Sequence, residues 1–378
     1  MKLNRRQWLK RSALAGSVGL FSGLPGFQAL SKQEIEAFRP RPLYTPIRLG
    51  SNENPYGPSA RVREAIKASF DDGCRYPWSY EGELLEMIAK KEGLTKECIV
   101  ITGGSTEGLK VAGIACAKEK KEIIAAKPTF DAMMQYAQLW GTHVNWVPLD
   151  QEMMYDLNEI ENRVSSNTKM VFLCNPNNPT STLLPAPRVM DFCETVSRKT
   201  IVFSDEAYYD YIEDAGYPSM THCIKKDLDV IVSRTFSKVY GLAGLRIGYL
   251  MARPELASQL RRHVVAFTNV LALKAAAAAM EDRDFYKFSL DQNHKARKSI
   301  YEGLDRLALE YLPSQTNFVF FKTEKDIRKL QAKMLEKGVI IGRPFEPLTD
   351  WCRISTGTME EVELFVNSLH EVMGELKG

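Results

Sequence analysis

The sequence has little that would mark a metal centre or a redox pair. Its seven cysteines, Cys74, Cys98, Cys116, Cys174, Cys193, Cys223 and Cys352, include no C-x-x-C spacing, so neither a zinc ribbon nor a thioredoxin-type motif is signalled. Most lie in apolar runs, where a cysteine serves as a small core residue. The five histidines are scattered without H-x-x-x-H spacing, and no metal site is expected. No apolar run reaches the ~20 residues of a membrane span, so no stable membrane anchor is expected. A large excess of one charge is also missing. Lys+Arg 50 against Asp+Glu 47 leaves +3 over 378 residues. Five of the bases, Lys2, Arg5, Arg6, Lys10 and Arg11, fall in the first thirty residues, which hold no acid. The rest of the chain is near neutrality and lacks the clustered basic face of a nucleic-acid binder. What the chain does have is 44% hydrophobic and 26% charged residues, enough for a sizeable core and too apolar for wholesale disorder.

Residues 1–30 read as a targeting segment and are set apart from the fold. Arg5-Arg6-Gln7-Trp8-Leu9-Lys10 precedes a short, weakly apolar run, Ser12 to Leu24, broken by Gly16, Gly19 and Gly23. Small residues follow near Gly26 to Ala29. The plain alternative is an amphipathic surface helix with a basic end. The arginine pair followed by an aromatic, Leu and Lys resembles a twin-arginine export signal. The expected location is periplasmic or secreted, or cytoplasmic if the leader is not functional.

The body alternates short apolar runs with helical patterns. Candidate strands are Cys98–Thr102, Glu122–Ala126, Val144–Leu149, Lys169–Cys174, Thr200–Ser204, Val230–Phe236 and Arg246–Ala252. Several are near-continuous Val, Ile and Phe, as strands buried on both faces are. Their alternation with helices predicts an α/β fold with a mostly parallel sheet. From Pro254 to about Leu312 the chain reads mostly helical. A strand at Asn317–Lys322, a helix around Asp326–Lys337, strands at Val339–Ile341 and Cys352–Ser355 and a closing helix then predict a smaller α+β domain. Thr358 and Glu361 form a capping box at the start of that last helix.

In an open parallel sheet, ligands bind beyond the carboxyl ends of the strands. Thr102 is followed by Gly103-Gly104-Ser105-Thr106-Glu107-Gly108, whose backbone N–H groups at a helix start suit a phosphate, although a plain capped turn reads equally well. Cys174 is followed by Asn175-Pro176-Asn177-Asn178-Pro179-Thr180, either an ordinary turn or a rigid support for the Asn175 amide. Asp205, directly after an apolar strand, is a helix cap or the partner of a protonated heterocycle nitrogen. Lys238, among Phe, Val, Leu and Gly residues, is a candidate for a lowered pKa and Schiff-base chemistry. Ser237 and Arg246 add to a phosphate cradle. A phosphate site, an amide, a carboxylate and a reactive lysine are the combination that pyridoxal phosphate requires.

With these motifs in hand, the chain resembles the class I/II aminotransferases, and within them the histidinol-phosphate aminotransferase branch. The resemblance runs from about Leu49 to Leu369. Its carriers are Asn52-Glu53-Asn54-Pro55-Tyr56-Gly57, Asn175–Thr180, Asp205–Tyr208, Thr235–Gly248 and Cys352–Thr358. It implies the fold type I architecture, with an N-terminal arm over 31–60, a large cofactor-binding domain over 61–275 with a seven-stranded sheet, and a small domain over 276–378. It implies pyridoxal 5'-phosphate as cofactor, an amino donor and a 2-oxo acid as substrates, a ping-pong reaction and a homodimer. Lys238 would hold the cofactor and shuttle the proton. Asp205 would keep the ring nitrogen protonated, and Asn175 and Tyr208 would reach the ring oxygen. Phe130 would stack on the ring. Ser105, Thr106, Ser237 and Arg246 would hold the phosphate, with Tyr76 reaching the partner subunit's phosphate. Arg353 would bind the substrate's anion, and Arg343 and Tyr56 would line the substrate end. The chain departs from the family's pattern at Ser181, where glycine is usual, and at Thr106, where an acid is usual. A β-eliminating lyase on the same fold and a non-catalytic secreted binding protein are the alternative readings.

Overall fold

The computed structural model describes residues 46–117 and 121–377. The leader and its arginine pair lie outside the described residues. Twelve strands are described: β1 (Ile47–Arg48), β2 (Ile99–Thr102), β3 (Glu122–Lys127), β4 (His143–Pro148), β5 (Thr168–Cys174), β6 (Ile201–Asp205), β7 (Val230–Thr235), β8 (Gly248–Met251), β9 (Tyr311–Leu312), β10 (Phe318–Lys322), β11 (Val339–Ile340) and β12 (Trp351–Ser355).

Seven of them form the main sheet, in the order β2-β8-β7-β6-β5-β3-β4. All neighbours pair parallel except at β8, which is antiparallel to both β2 and β7. This is the expected α/β architecture with a seven-stranded, mostly parallel sheet. The runs Val171-Phe172-Leu173 and Val230-Ile231-Val232 are fully buried, because helices cover both faces. Parallel pairing sends β3, β5, β6 and β7 to the same edge, so Lys127, Cys174, Asp205 and Thr235 end side by side. β8 runs back from that edge, starting at Gly248 opposite both Thr102 and Thr235.

A second core gathers Ile47, Leu49, Ile300, Val319, Phe321, Leu330, Ile354 and Phe365. It packs under the three-stranded sheet β12-β10-β9 and the two-stranded pair β1-β11. The closing helix, Met359–Lys377, starts as the sequence predicts. Thr358 N–H donates to Glu361 Oε2 at 2.8 Å, and Glu361 N–H donates to Thr358 Oγ1 at 3.3 Å. Among the described residues, no helix is long and apolar enough to cross a membrane.

Candidate active site

A cleft of about 360 Å³ opens at the carboxyl edge of the main sheet. One corner is the turn after β2. Gly104 sits at φ +85°, a left-handed backbone that favours glycine, and a Cβ there would lie 2.3 Å from Arg246 Nη2 and push that guanidinium aside. The helix Ser105–Ala117 begins in this corner; Glu107 and Gly108 N–H donate to Gly104 O at 3.1 and 3.4 Å, and the Ser105 and Thr106 N–H groups have no helix carbonyl to meet. Glu107 folds back so that its Oε2 accepts from Gly103 N–H at 2.6 Å. The Ser237 hydroxyl and the Arg246 side chain line the same cleft. Ser237 is held by Thr235 Oγ1, which donates to its Oγ at 3.0 Å. Helix N–H groups, a hydroxyl and a guanidinium at one corner suit a phosphate.

Two titratable groups stand on the cleft floor. Burial pushes the Asp205 carboxyl up from its ordinary value to about 7, against the lowering pull of the Ala207 N–H and of Lys238. Burial, with Arg353 near it, brings the Lys238 amine down to about 8. The Lys238 Nζ donates to Asn52 O at 3.0 Å and lies 5.4 Å from the centre of the Tyr208 ring. A buried carboxylate whose protonation tracks its surroundings and an amine held near neutrality are complementary to a cationic ring nitrogen and a carbonyl. Phosphate corner, carboxylate and amine together fit pyridoxal phosphate.

The opposite wall comes from the second core. Arg353, on β12, is 8% exposed. It donates from Nη1 to Asn178 Oδ1 at 2.7 Å and from Nη2 to Gly50 O at 2.6 Å, while Nε has no partner. Its guanidinium lies 5.0 Å from the Phe345 ring centre, and that of Arg343 lies 4.4 Å from the same ring. Arg343 is exposed and stands 3.7 Å from Asp131 Oδ1.

Most of the residues read from the sequence meet in this cleft: Ser105, Thr106, Phe130, Asp205, Tyr208, Ser237, Lys238, Arg246, Arg343 and Arg353 all line it. Three do not. Asn175 is turned into the core, where its Nδ2 donates to Tyr217 Oη at 2.7 Å and its Oδ1 accepts from Leu184 N–H at 2.9 Å. Asn178, three residues on, lines the cleft instead, its Nδ2 3.5 Å from Tyr208 Oη. Tyr56 is buried against Phe288 at 5.0 Å, its hydroxyl donating to Gln292 Oε1 at 3.4 Å, and is absent from the cleft wall. Tyr76 is 69% exposed and stacks on Trp78. Asn52, Glu107, Asn178 and Ser355 are the contributors that sequence reasoning missed. The only signal for Asn178 was that it is the third asparagine of the same Pro-Asn loop.

Comparison with known proteins agrees with this geometry. The model of the family described as aminotransferase class I and II matches residues 44–369. The histidinol-phosphate aminotransferase of Halalkalibacterium halodurans is 34% identical over 356 residues, which is 93% of this chain and 96% of the relative. The histidinol-phosphate aminotransferase of Moorella thermoacetica is 36% identical over 331 residues, 86% and 85% of the two chains. The crystal structure of the Sinorhizobium meliloti histidinol-phosphate aminotransferase, in complex with pyridoxal-5'-phosphate, superposes with a TM-score of 0.81 at 28% identity, covering 95% of this chain and 100% of that one. A match over most of the length, joined to a cleft that fits the cofactor, establishes that the chain belongs to the class I and II aminotransferases, enzymes that move amino groups with pyridoxal phosphate.

Proposed function

We propose that the chain transfers an amino group by a ping-pong reaction from a donor that carries an anionic group to a 2-oxo acid, with Arg353 receiving the anion. The observation that carries this reading is the Arg353 guanidinium. It is buried beside Lys238, and the partners of its Nη1 and Nη2 are neutral. Burial draws its pKa down, the direction expected of a cation short of a counter-ion. An incoming carboxylate or phosphate supplies that counter-ion and two charge-assisted hydrogen bonds. The 2-oxo acid, with its own carboxylate, uses the same site in the second half-reaction.

When bound, pyridoxal phosphate supplies a carbonyl that exchanges amino groups and a ring that draws electrons from the reacting carbon. Lys238 Nζ, near neutral pH in its affinity for a proton, takes a proton from the substrate carbon and returns one. Asp205, which burial inclines toward its neutral form, would carry its negative charge where a cationic ring nitrogen faces it. Arg246, Ser237 and the helix start at Ser105 and Thr106 anchor the phosphate corner. Phe130 lines the cleft as an aromatic wall.

The curated relatives are named for histidinol phosphate, and two guanidiniums on one aromatic ring favour an anion with more than one charge. Histidinol phosphate with 2-oxoglutarate is therefore the first pair to assay, followed by aromatic amino acids. Parallel double-reciprocal lines are expected, without ammonia release when the acceptor is left out. Intersecting lines, or ammonia and a 2-oxo acid formed from the donor alone, would replace the reading with a different mechanism or with elimination.

The active unit is proposed to be a homodimer. An exposed aromatic cluster supports it, with Tyr76 stacked on Trp78 at 4.8 Å and Trp78 edge-on to Phe267 at 5.7 Å. Sedimentation at assay concentration tests it, and an active monomer contradicts it. Export is proposed from the Arg5-Arg6 leader. Cell fractionation of the wild type against Arg5→Lys/Arg6→Lys tests it, and an unchanged distribution contradicts it.

A further inference from the structure

Asn52 is buried, yet its φ is +55°. Left-handed backbone is uncommon outside glycine, though asparagine tolerates it best. It persists where the surroundings enforce it, often beside a working site. Here they do so with hydrogen bonds that reach across the whole chain. Asn52 N–H donates to Ser355 Oγ at 2.8 Å, and the Ser355 hydroxyl donates back to Asn52 Oδ1 at 2.9 Å. With Oδ1 engaged, the amide turns Nδ2 to Tyr208 and donates to its Oη at 2.9 Å. The Asn52 carbonyl accepts from Lys238 Nζ and from Asn317 Nδ2, both at 3.0 Å.

A phenol oxygen that accepts from an amide keeps its own hydrogen to give elsewhere. A second donor points at the same oxygen. Arg353 only donates, so it holds Asn178 by Oδ1 and leaves the Asn178 Nδ2 facing Tyr208 at 3.5 Å. With two amides directed at the oxygen, the hydroxyl hydrogen is left to the cleft that Tyr208 lines. Burial raises the phenol well above its ordinary pKa, so the hydrogen is present at neutral pH.

We propose that Asn52 is a positioning residue: its side-chain amide fixes Tyr208 as a hydrogen-bond donor into the cofactor cleft, while its carbonyl holds the Lys238 amine. The inference rests on Tyr208 facing the bound cofactor. Neither asparagine nor tyrosine needs to change charge for it to operate.

The test is a double-mutant cycle on cofactor affinity. Asn52→Gly keeps the left-handed backbone, and with it the carbonyl, while deleting the amide. The dissociation constant of pyridoxal phosphate is measured by titrating apoprotein fluorescence in the wild type, Asn52→Gly, Tyr208→Phe and the double variant. Asn52→Gly is expected to weaken binding about five-fold, the usual worth of one neutral hydrogen bond. In the Tyr208→Phe background the same change is expected to move it by less than about two-fold, because the hydroxyl it steers is gone. An equal loss in both backgrounds overturns the proposal and leaves Asn52 a residue of the fold only. Wild-type affinity in Tyr208→Phe alone overturns the placement of Tyr208, and the proposal with it. Ser355→Ala removes both bonds to Asn52, the one given to Oδ1 and the one taken from the backbone N–H, while leaving the Asn52 side chain itself in place. It is expected to give a smaller loss that also vanishes in Tyr208→Phe, and a loss undiminished there counts against the proposal.

Discussion

Replacing Arg353 by lysine isolates what the planar guanidinium adds beyond its charge. The wild-type side chain has five N–H donors. Two of them are committed to Asn178 Oδ1 and Gly50 O, which leaves enough for a two-point grip on a substrate anion. A lysine ammonium has three donors and no fork. If it satisfies the same two buried acceptors, one donor remains for the substrate. The variant therefore keeps the positive charge and loses one charge-assisted hydrogen bond, worth roughly 1.5–3 kcal/mol. That corresponds to a fall of roughly ten- to 150-fold in kcat/KM. Steady-state kinetics with several donors, alongside the dissociation constant of the cofactor, measures it. Cofactor affinity is expected to stay within about two-fold of the wild type, because a lysine that still donates to Asn178 Oδ1 leaves that amide facing Tyr208 and does not reach the phosphate corner. Unchanged kinetics with every active donor would place the anion site elsewhere, with Arg343 next in line. Loss of cofactor in step with loss of activity would make Arg353 a structural residue.

Three further outcomes are expected. Lys238→Ala should abolish covalent attachment of the cofactor while the fold survives, and borohydride reduction followed by peptide mapping should label Lys238 in the wild type; a label on another lysine refutes the assignment. Asp205, raised to about 7 in the fold from an unfolded value near 3.8, holds its proton across a window in which the unfolded chain has lost it, so the cofactor-free protein loses stability as pH rises from about 4 to about 7. Lys238, lowered to about 8, acts in the opposite sense between about 8 and 10.5. Asp205→Asn should therefore stabilise the cofactor-free protein at pH 7.5 by roughly 1–3 kcal/mol, with the gain fading toward pH 4 and cofactor affinity falling; a thermal midpoint equal to the wild type's throughout removes the argument. Ser181, buried at φ +62° where glycine is usual in the family, should give a fold more stable by about 0.5–1 kcal/mol as Ser181→Gly, read by urea unfolding, and a loss of stability contradicts this.

The parts of the fold that were legible in the sequence are those with a local signature. The buried strands β5, β6 and β7 announce themselves as runs of Val, Ile and Phe, and the Thr358–Glu361 capping box marks a helix start by spacing alone. The last main strand is shorter than predicted. It begins at Gly248 because Arg246, at φ +56°, still belongs to the loop. The site divides in the same way. Asp205 and Lys238 follow directly from strand ends and were found. The choice between Asn175 and Asn178 depends on which amide the path of the loop turns outward, and composition and spacing carry no record of that. Asn52 and Ser355 were unreadable as site residues for a simpler reason. They are 303 positions apart, and neither means anything without the other.

The short parallel pair β1-β11 has a consequence for the order of events during synthesis. Ile47 and Arg48 pair in the sheet with Val339 and Ile340, and Leu49 O receives Ser355 N–H at 2.8 Å. Contacts of such sequence separation close late, since loop entropy must be overcome first. A chain emerging from the ribosome carries Lys238 and Asp205 well before it has the segment that seats Asn52. Its cofactor cleft is thus half-walled until the last strand arrives, and full capture of pyridoxal phosphate becomes a property of the completed polypeptide. Loss of β12, far from Lys238 in sequence, removes Arg353 and Ser355 and so acts on the cleft as directly as a change beside the lysine.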